Sequence, residues 1–358
     1  MDQSLTAIRT SATKLTSIEA ARALAAFVVV LMHAANLMRV SAFSGHIGLN
    51  GIFDFGYVGV DFFFVLSGFI ITYVHFYDVG RADRSLRYIW RRFSRIYPIY
   101  WIILLLVIAV TTLARLATGK MPGWEIGYSD IASTLFLLMY GDEPKYVGVA
   151  WSLRYEILFY AAFCLLLILP RAGRAVFFVW GLYLFLHILG LVKIEIPLHL
   201  GNPFCLEFLL GVCIGAGAHR YRISLPPFSL ILALVILIFA IAIEVYGPFG
   251  RHAPEGRVIL GFSSALLLIV LVSLESADKL RAPSWMTRMG SASYSIYLGH
   301  IIFINVTYST LLKLGVYHAL PEPVVFATAV LIALSATMTI GLYVELPLVK
   351  YLKNKGWR

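Results

Sequence analysis

The chain alternates between long apolar stretches and short polar clusters, and the length of the stretches decides what they are. A bilayer crossing takes about 20 mostly apolar residues. Ten such stretches can be placed, at 17–40, 52–77, 97–116, 151–169, 175–192, 203–218, 226–246, 257–274, 291–313 and 323–346. An eleventh apolar piece, Ile131 to Tyr140, is too short to cross and fits a re-entrant or interfacial segment. The pattern predicts an all-α fold, a polytopic membrane bundle of ten helices forming one integral-membrane domain over residues 1–358. With no extramembrane domain expected, any chemistry must use the spans and the short loops.

Charge fixes the expected orientation. With a cytoplasmic N-terminus, ten spans put 19 of the 29 Lys and Arg residues on the inner side, chiefly at 81–95, 171–174, 279–288 and 350–358, and six on the outer side, Arg39, Lys120, Lys145, Lys193, Arg251 and Arg257. If 131–140 crossed as well, the eleven inner basic residues after Leu169 would move outside, against the positive-inside rule. Both ends are therefore expected in the cytoplasm of a bacterial inner membrane. The N-terminus does not read as a cleaved signal, because the stretch from Ala20 to Val40 contains Arg22 and His33 and no A-x-A site follows. Gly211, Gly215 and Gly217 form a small-residue face on the sixth span, suited to close helix packing.

Composition agrees: 60% of residues are hydrophobic and 13% charged. The formal charge of +10 resides where topology requires it, so nucleic acid is not an expected partner, whereas membrane lipid is. Cys164, Cys205 and Cys213 lie in apolar runs and define no disulfide framework. The nine histidines show no zinc-ligand spacing, so no metal and no permanently bound cofactor are expected.

Ionisable groups inside spans are costly, and each is a functional candidate. Arg22 sits near the inner end of the first span and His33 lies eleven residues on, about 16 Å deeper and on the same face. A cation at the entrance and an imidazole below it suit a long substrate with a phosphate at one end and a reactive group at the other. Snorkelling of Arg22 and a hydrogen bond from His33 to a neighbouring helix fit equally. Counted from the expected span ends, Asp61 matches His33 in depth, so its carboxylate is expected to orient the imidazole as a general base; capping a helix break near Gly59 is the alternative. Arg81, Arg84, Arg87, Arg91, Arg92 and Arg95 form a loop denser in cations than topology needs, able to fork onto phosphates or to bind anionic lipid. Trp151, Glu156 and Tyr160 combine acid and aromatic groups near the outer face, as a sugar site would. Tyr294, Tyr297 and His300 recur on the ninth span and Glu345 stands on the tenth, where structural hydrogen bonding between helices is the preferred reading.

Taken in order, Arg22 through ten residues to His33, GYVGVDFFFVLSGFIIT at 56–72, RRFSRIYPIYW at 91–101, WSLRYEILFY at 151–160, SYSIYLGH at 293–300 and VELP at 344–347 resemble the acyltransferase-3 family of membrane acyltransferases over nearly the whole chain. The resemblance implies an acyl-CoA donor, His33 as the essential catalytic residue, and Arg22, Arg92 and Arg95 as coenzyme contacts. It marks Trp151, Glu156, Tyr297, His300 and Glu345 as motif positions. One departure is Gly299, where the family often has a large residue. The single-domain architecture resembles members that decorate exopolysaccharides or lipid-linked glycans. The expectation is thus an O-acyltransferase moving acetyl from acetyl-CoA to a carbohydrate hydroxyl. His33 and Asp61 would carry the chemistry with Glu156, and Trp151, Tyr160, Tyr297 and His300 would bind the acceptor. A lipid-linked glycan transporter or a lipid-binding sensor are the rivals from other classes.

Overall fold

The computed structural model describes residues 15–40, 43, 48–117, 128–139, 146–194, 196–221, 223–249 and 253–355, and among them every regular element is helical. The long helices are α1 (Thr16–Met38), α2 (Val58–His75), α3 (Ser85–Ala117), α5 (Trp151–Ile168), α6 (Pro170–Ile188), α7 (Pro203–Arg220), α8 (Phe228–Tyr246), α9 (Pro254–Ser276), α11 (Ser293–Lys313) and α12 (Glu322–Ile340). The short ones are α4 (Tyr128–Phe136), α10 (Ser284–Ser291) and α13 (Leu346–Lys355), the last joined to α12 by a π turn at Gly341–Glu345. Among the described residues nine helical stretches are long and apolar enough to cross a membrane. The remaining expected span, 175–192, corresponds to α6, whose first turns carry Arg171 and Arg174. The chain is a multi-pass membrane protein with the ten-helix bundle that its pattern predicted.

Glycine sets how closely the central helices approach. A Cβ on Gly211 of α7 would stand 1.9 Å from Val65 O, and one on Gly68 of α2 would stand 2.0 Å from Phe208 O. The two backbones touch directly, which no larger residue permits. Of the expected small-residue face, Gly211 and Gly215 pack on α2, while Gly217 meets nothing within 4 Å.

The α2 helix begins at Val58, after a 3₁₀ turn at Asp54–Tyr57, and so starts later than the expected 52. Gly56 and Gly59 press on the carbonyls of Val28 and Ala25 in α1. A step forward along this strand of the hairpin is therefore a step back along α1. Asp61, two residues past Gly59, therefore continues down α2 away from the end of α1 that carries His33.

The short apolar segment forms α4, nine residues that end against the middle of the bundle. Its last carbonyls have no partner within the helix, and its neighbours provide donors. Tyr100 Oη donates to Thr134 O at 2.6 Å, Trp101 Nε1 to Leu135 O at 2.9 Å and Tyr97 Oη to Phe136 O at 2.9 Å. Arg154 Nε donates to Leu138 O at 2.6 Å. Bonds from Gly80 N to Leu166 O and from Tyr88 Oη to Tyr160 O show that α3 and α5 run antiparallel, so the connection containing α4 leaves and returns on one side. Arg9, Lys14, Lys120, Tyr140, Lys145, Arg222, Arg251 and Arg358 lie outside the described residues.

At its N-terminus α1 is capped from far along the chain. Glu275, at the end of α9, accepts from Thr16 N, from Thr16 Oγ1 at 2.7 Å and from Ser17 N at 2.9 Å. A carboxylate at this position satisfies orphan amides and faces the positive end of the helix dipole.

Candidate active site

One cavity joins the charged residues near the starts of α1 and α3 to the polar face of α5. Arg22, Arg92, Arg95, Glu156, Tyr160 and Tyr297 line it together with Ser67, Ser152, Ser293 and Tyr294, and it holds about 750 Å³ of open space including its mouth. The apolar side of its wall comes from α2, with Phe63, Phe64 and Ile70.

The carboxylate lining it, Glu156, and the buried Glu345 nearby are both already engaged. Tyr160 Oη donates to Glu156 Oε1, and Ser67 Oγ stands 3.5 Å away. Glu345, carried on the π turn, accepts from Ser295 N at 3.1 Å and Ser295 Oγ at 2.6 Å. The guanidinium groups are held more loosely. Arg22 reaches Glu19 only at 3.5 Å. Arg92 lies over the rings of Tyr88 and Tyr160, 5.5 and 5.1 Å from their centroids, and its Nε has no hydrogen-bond partner among the described residues. Arg22 and Arg95 are close enough to feel each other's charge. Three cations facing one buried space favour a multiply charged anion with forked acceptors.

Neither His33 nor His300 lines this cavity; they form a pair beyond Tyr297. His33 Nδ1 lies 3.0 Å from Val29 O and 3.1 Å from His300 Nε2, while His300 Nδ1 lies 3.0 Å from Ile296 O. A carbonyl only accepts, so each Nδ1 carries its hydrogen. His300 Nε2 is then an acceptor for the shared Nδ1–H of His33, and His33 Nε2 is left with a bare lone pair. The pair presents one basic nitrogen.

Asp61 is not part of that pair. Both of its oxygens accept from Arg257 Nη1, at 2.9 and 2.7 Å, and it is completely buried. The expected contact between Asp61 and His33 is not made in this structure: His33 meets Val29 O and His300, while Asp61 is held by Arg257. Arg257, expected on the outer loop, is within α9 and stacks on Tyr57 and Phe204. Buried Glu207 and Glu244 approach the same arginine electrostatically. The rule that intramembrane charges deserve a hypothesis would have singled out both acids. Trp151, expected at the acceptor site, packs among Phe64, Tyr155 and Phe204 and is not itself in the cavity wall. Sequence reading also passed over Ser67, Ser152 and Ser293, which have no signature until the helices meet.

The profile of the acyltransferase domain family, acyltransferase-3, matches residues 15–344, nearly all of the described bundle. The chain belongs to this family. It is similar to the exopolysaccharide production protein ExoZ of Rhizobium meliloti (strain 1021), 32% identical over 307 residues that cover 83% of this chain and 91% of the relative. It is also similar to acyltransferase MdmB of Streptomyces mycarofaciens, 29% identical over 155 residues, 42% of this chain and 38% of the relative. No solved structure matches significantly. Membership makes the chain a membrane acyltransferase, and the cavity and histidine pair are where its motifs converge.

Proposed function

We propose that the chain transfers an acyl group, acetyl first among the candidates, from cytoplasmic acyl-CoA to a hydroxyl of an exopolysaccharide or its lipid-linked precursor in a bacterial inner membrane. The observation that carries this reading is the arrangement of Arg22, Arg92 and Arg95 around one cavity with the basic nitrogen of His33 beyond its far wall. The phosphates of the donor bind the three guanidiniums, and the thioester points inward. The printed name of ExoZ, an exopolysaccharide production protein, supports a carbohydrate acceptor.

In the reaction His33 Nε2 takes the proton of the acceptor hydroxyl as its oxygen attacks the thioester carbonyl. The carbon–sulfur bond breaks, the coenzyme thiolate leaves, and the imidazolium returns the proton to it. His300 is the positioning residue in this scheme. Its Nε2 and Val29 O both accept the Nδ1–H of His33 and so stabilise the imidazolium while it lasts. Glu156 and Tyr160 face the cavity with fixed acceptor and donor groups, and the resting part of the substrate can hydrogen-bond to them.

Calorimetry of coenzyme A binding to the detergent-purified chain tests the donor site. Arg92→Ala and Arg95→Ala should each weaken binding by about 1.5–3 kcal/mol, the value of a charge-assisted hydrogen bond, and the double variant should weaken it further. Unchanged affinity in the double variant would refute the assignment. Mass spectrometry of extracellular glycans from cells with and without the protein then names the acyl group and its acceptor.

A further inference from the structure

The donor cavity and the histidine pair do not meet. Phe63 and Tyr297 line the cavity, whereas His33 and His300 are absent from its wall. The two rings stand edge to face with centroids 6.0 Å apart, and the Tyr297 ring is 6.3 Å from that of His300. Tyr297 is thus a lining residue in ring contact with the histidine pair, and Phe63 packs against it from the same wall.

The two rings are held differently. Tyr297 is buried, and its hydroxyl lies 2.8 Å from Ser152 Oγ and 3.1 Å from Val149 O. It is held at its hydroxyl by two partners. Phe63 has no polar atom to anchor it, is only half-buried, and touches three separate apolar clusters where they converge. A ring with cavity space on one side and no hydrogen bond can change rotamer, whereas one tied by its hydroxyl cannot without leaving polar groups unpaired.

We propose that the Phe63 ring is a movable partition between the donor cavity and His33, and that its size determines which acyl groups pass. The proposal rests on the donor reading above. In the resting position the ring separates the bound thioester from His33 Nε2. Turned aside, it opens a passage whose width is set by the fixed Tyr297 ring opposite. Small acyl groups pass readily, and bulkier ones require a smaller residue at position 63.

The test uses the full chain purified in detergent, with His33→Cys as reporter and bromoacetyl-CoA as probe; the introduced thiolate displaces bromide, and intact-mass spectrometry counts the adduct. Adding Phe63→Ala should raise the alkylation rate about tenfold or more, and Phe63→Trp should lower it by a similar factor. Phe63→Leu should lie between the parent and Phe63→Ala, and it keeps the series readable if the alanine variant folds poorly. Excess coenzyme A should protect the thiol in every variant. Equal alkylation rates across the series would overturn the partition. If calorimetry shows that none of the proteins binds coenzyme A, the donor reading has failed. The same variants treated with N-ethylmaleimide then decide the partition alone: the same order of rates upholds it and equal rates remove it.

Discussion

His33 and His300 share one hydrogen, and that sharing sets which nitrogen of His33 is basic. Replacing His33 by Ala should leave coenzyme A binding intact and lower turnover by about a hundredfold or more, the usual scale for a deleted general base. His300→Ala should lower kcat with little change in the donor KM, and His300→Gln, whose amide oxygen can accept the Nδ1–H, should restore part of it. Assays of acyl transfer, or of acyl-CoA hydrolysis where no acceptor is in hand, check both; loss of donor binding in His300→Ala would make the residue a structural one. Asp61 should behave differently. Asp61→Asn leaves Arg257 buried without its bidentate partner, a loss of about 3 kcal/mol, and Arg257→Gln added to it should recover most of the stability. Thermal unfolding in detergent decides this, and an Asp61→Asn protein with normal stability and no turnover would return Asp61 to the catalytic machinery. The candidates His33 and Asp61 were legible because ionisable residues are rare in spans. Their pairings were not. His300 lies 267 positions from His33, and Arg257, at the outer edge of its expected span, gave no sign that it would close on Asp61.

At the scale of elements, length and charge identified the spans and the one segment that does not cross. They could not show how α4 ends inside the bundle, because its partners come from another helix. Tyr97, Tyr100 and Trp101 belong to a motif that sequence reading associated with phosphate binding through its arginines. The same helix turns its aromatic donors toward the carbonyls of residues 134–136. Tyr100→Phe keeps the ring and removes the donor to a half-buried carbonyl, so thermal stability should fall by about 1 kcal/mol. Unfolding of the detergent-purified variant is the measurement, and an unchanged midpoint would mean that Thr134 O has another partner. The entry of α2 shows the opposite limit. Its glycines were visible, but neither their close contact with α1 nor the late start of the helix at Val58 is written in the pattern.

Across the whole molecule the sidedness of the bundle decides where the donor comes from. The cavity arginines lie near the starts of α1 and α3, the ends that the charge distribution assigns to the cytoplasm. Arg257, one of the six cations assigned outside, pairs with Asp61 within the bundle and Arg39 pairs with Asp54, as Arg84 pairs with Asp78 and Arg281 with Asp278 on the side assigned inside. The inner cluster remains crowded, with Lys353 close enough to Arg91, Arg92 and Arg95 to feel their charge. On the expected orientation the mouth of the cavity faces the cytoplasm, where the proposed donor resides. Single cysteines introduced at Arg87 and at Lys145, in a chain whose Cys164, Cys205 and Cys213 are serine, test this with a membrane-impermeant maleimide. The Lys145→Cys protein should be labelled in intact spheroplasts and the Arg87→Cys protein only after the membrane is opened. Labelling in the reverse order would turn the bundle over, set the three arginines toward the outside and remove cytoplasmic acyl-CoA as their ligand.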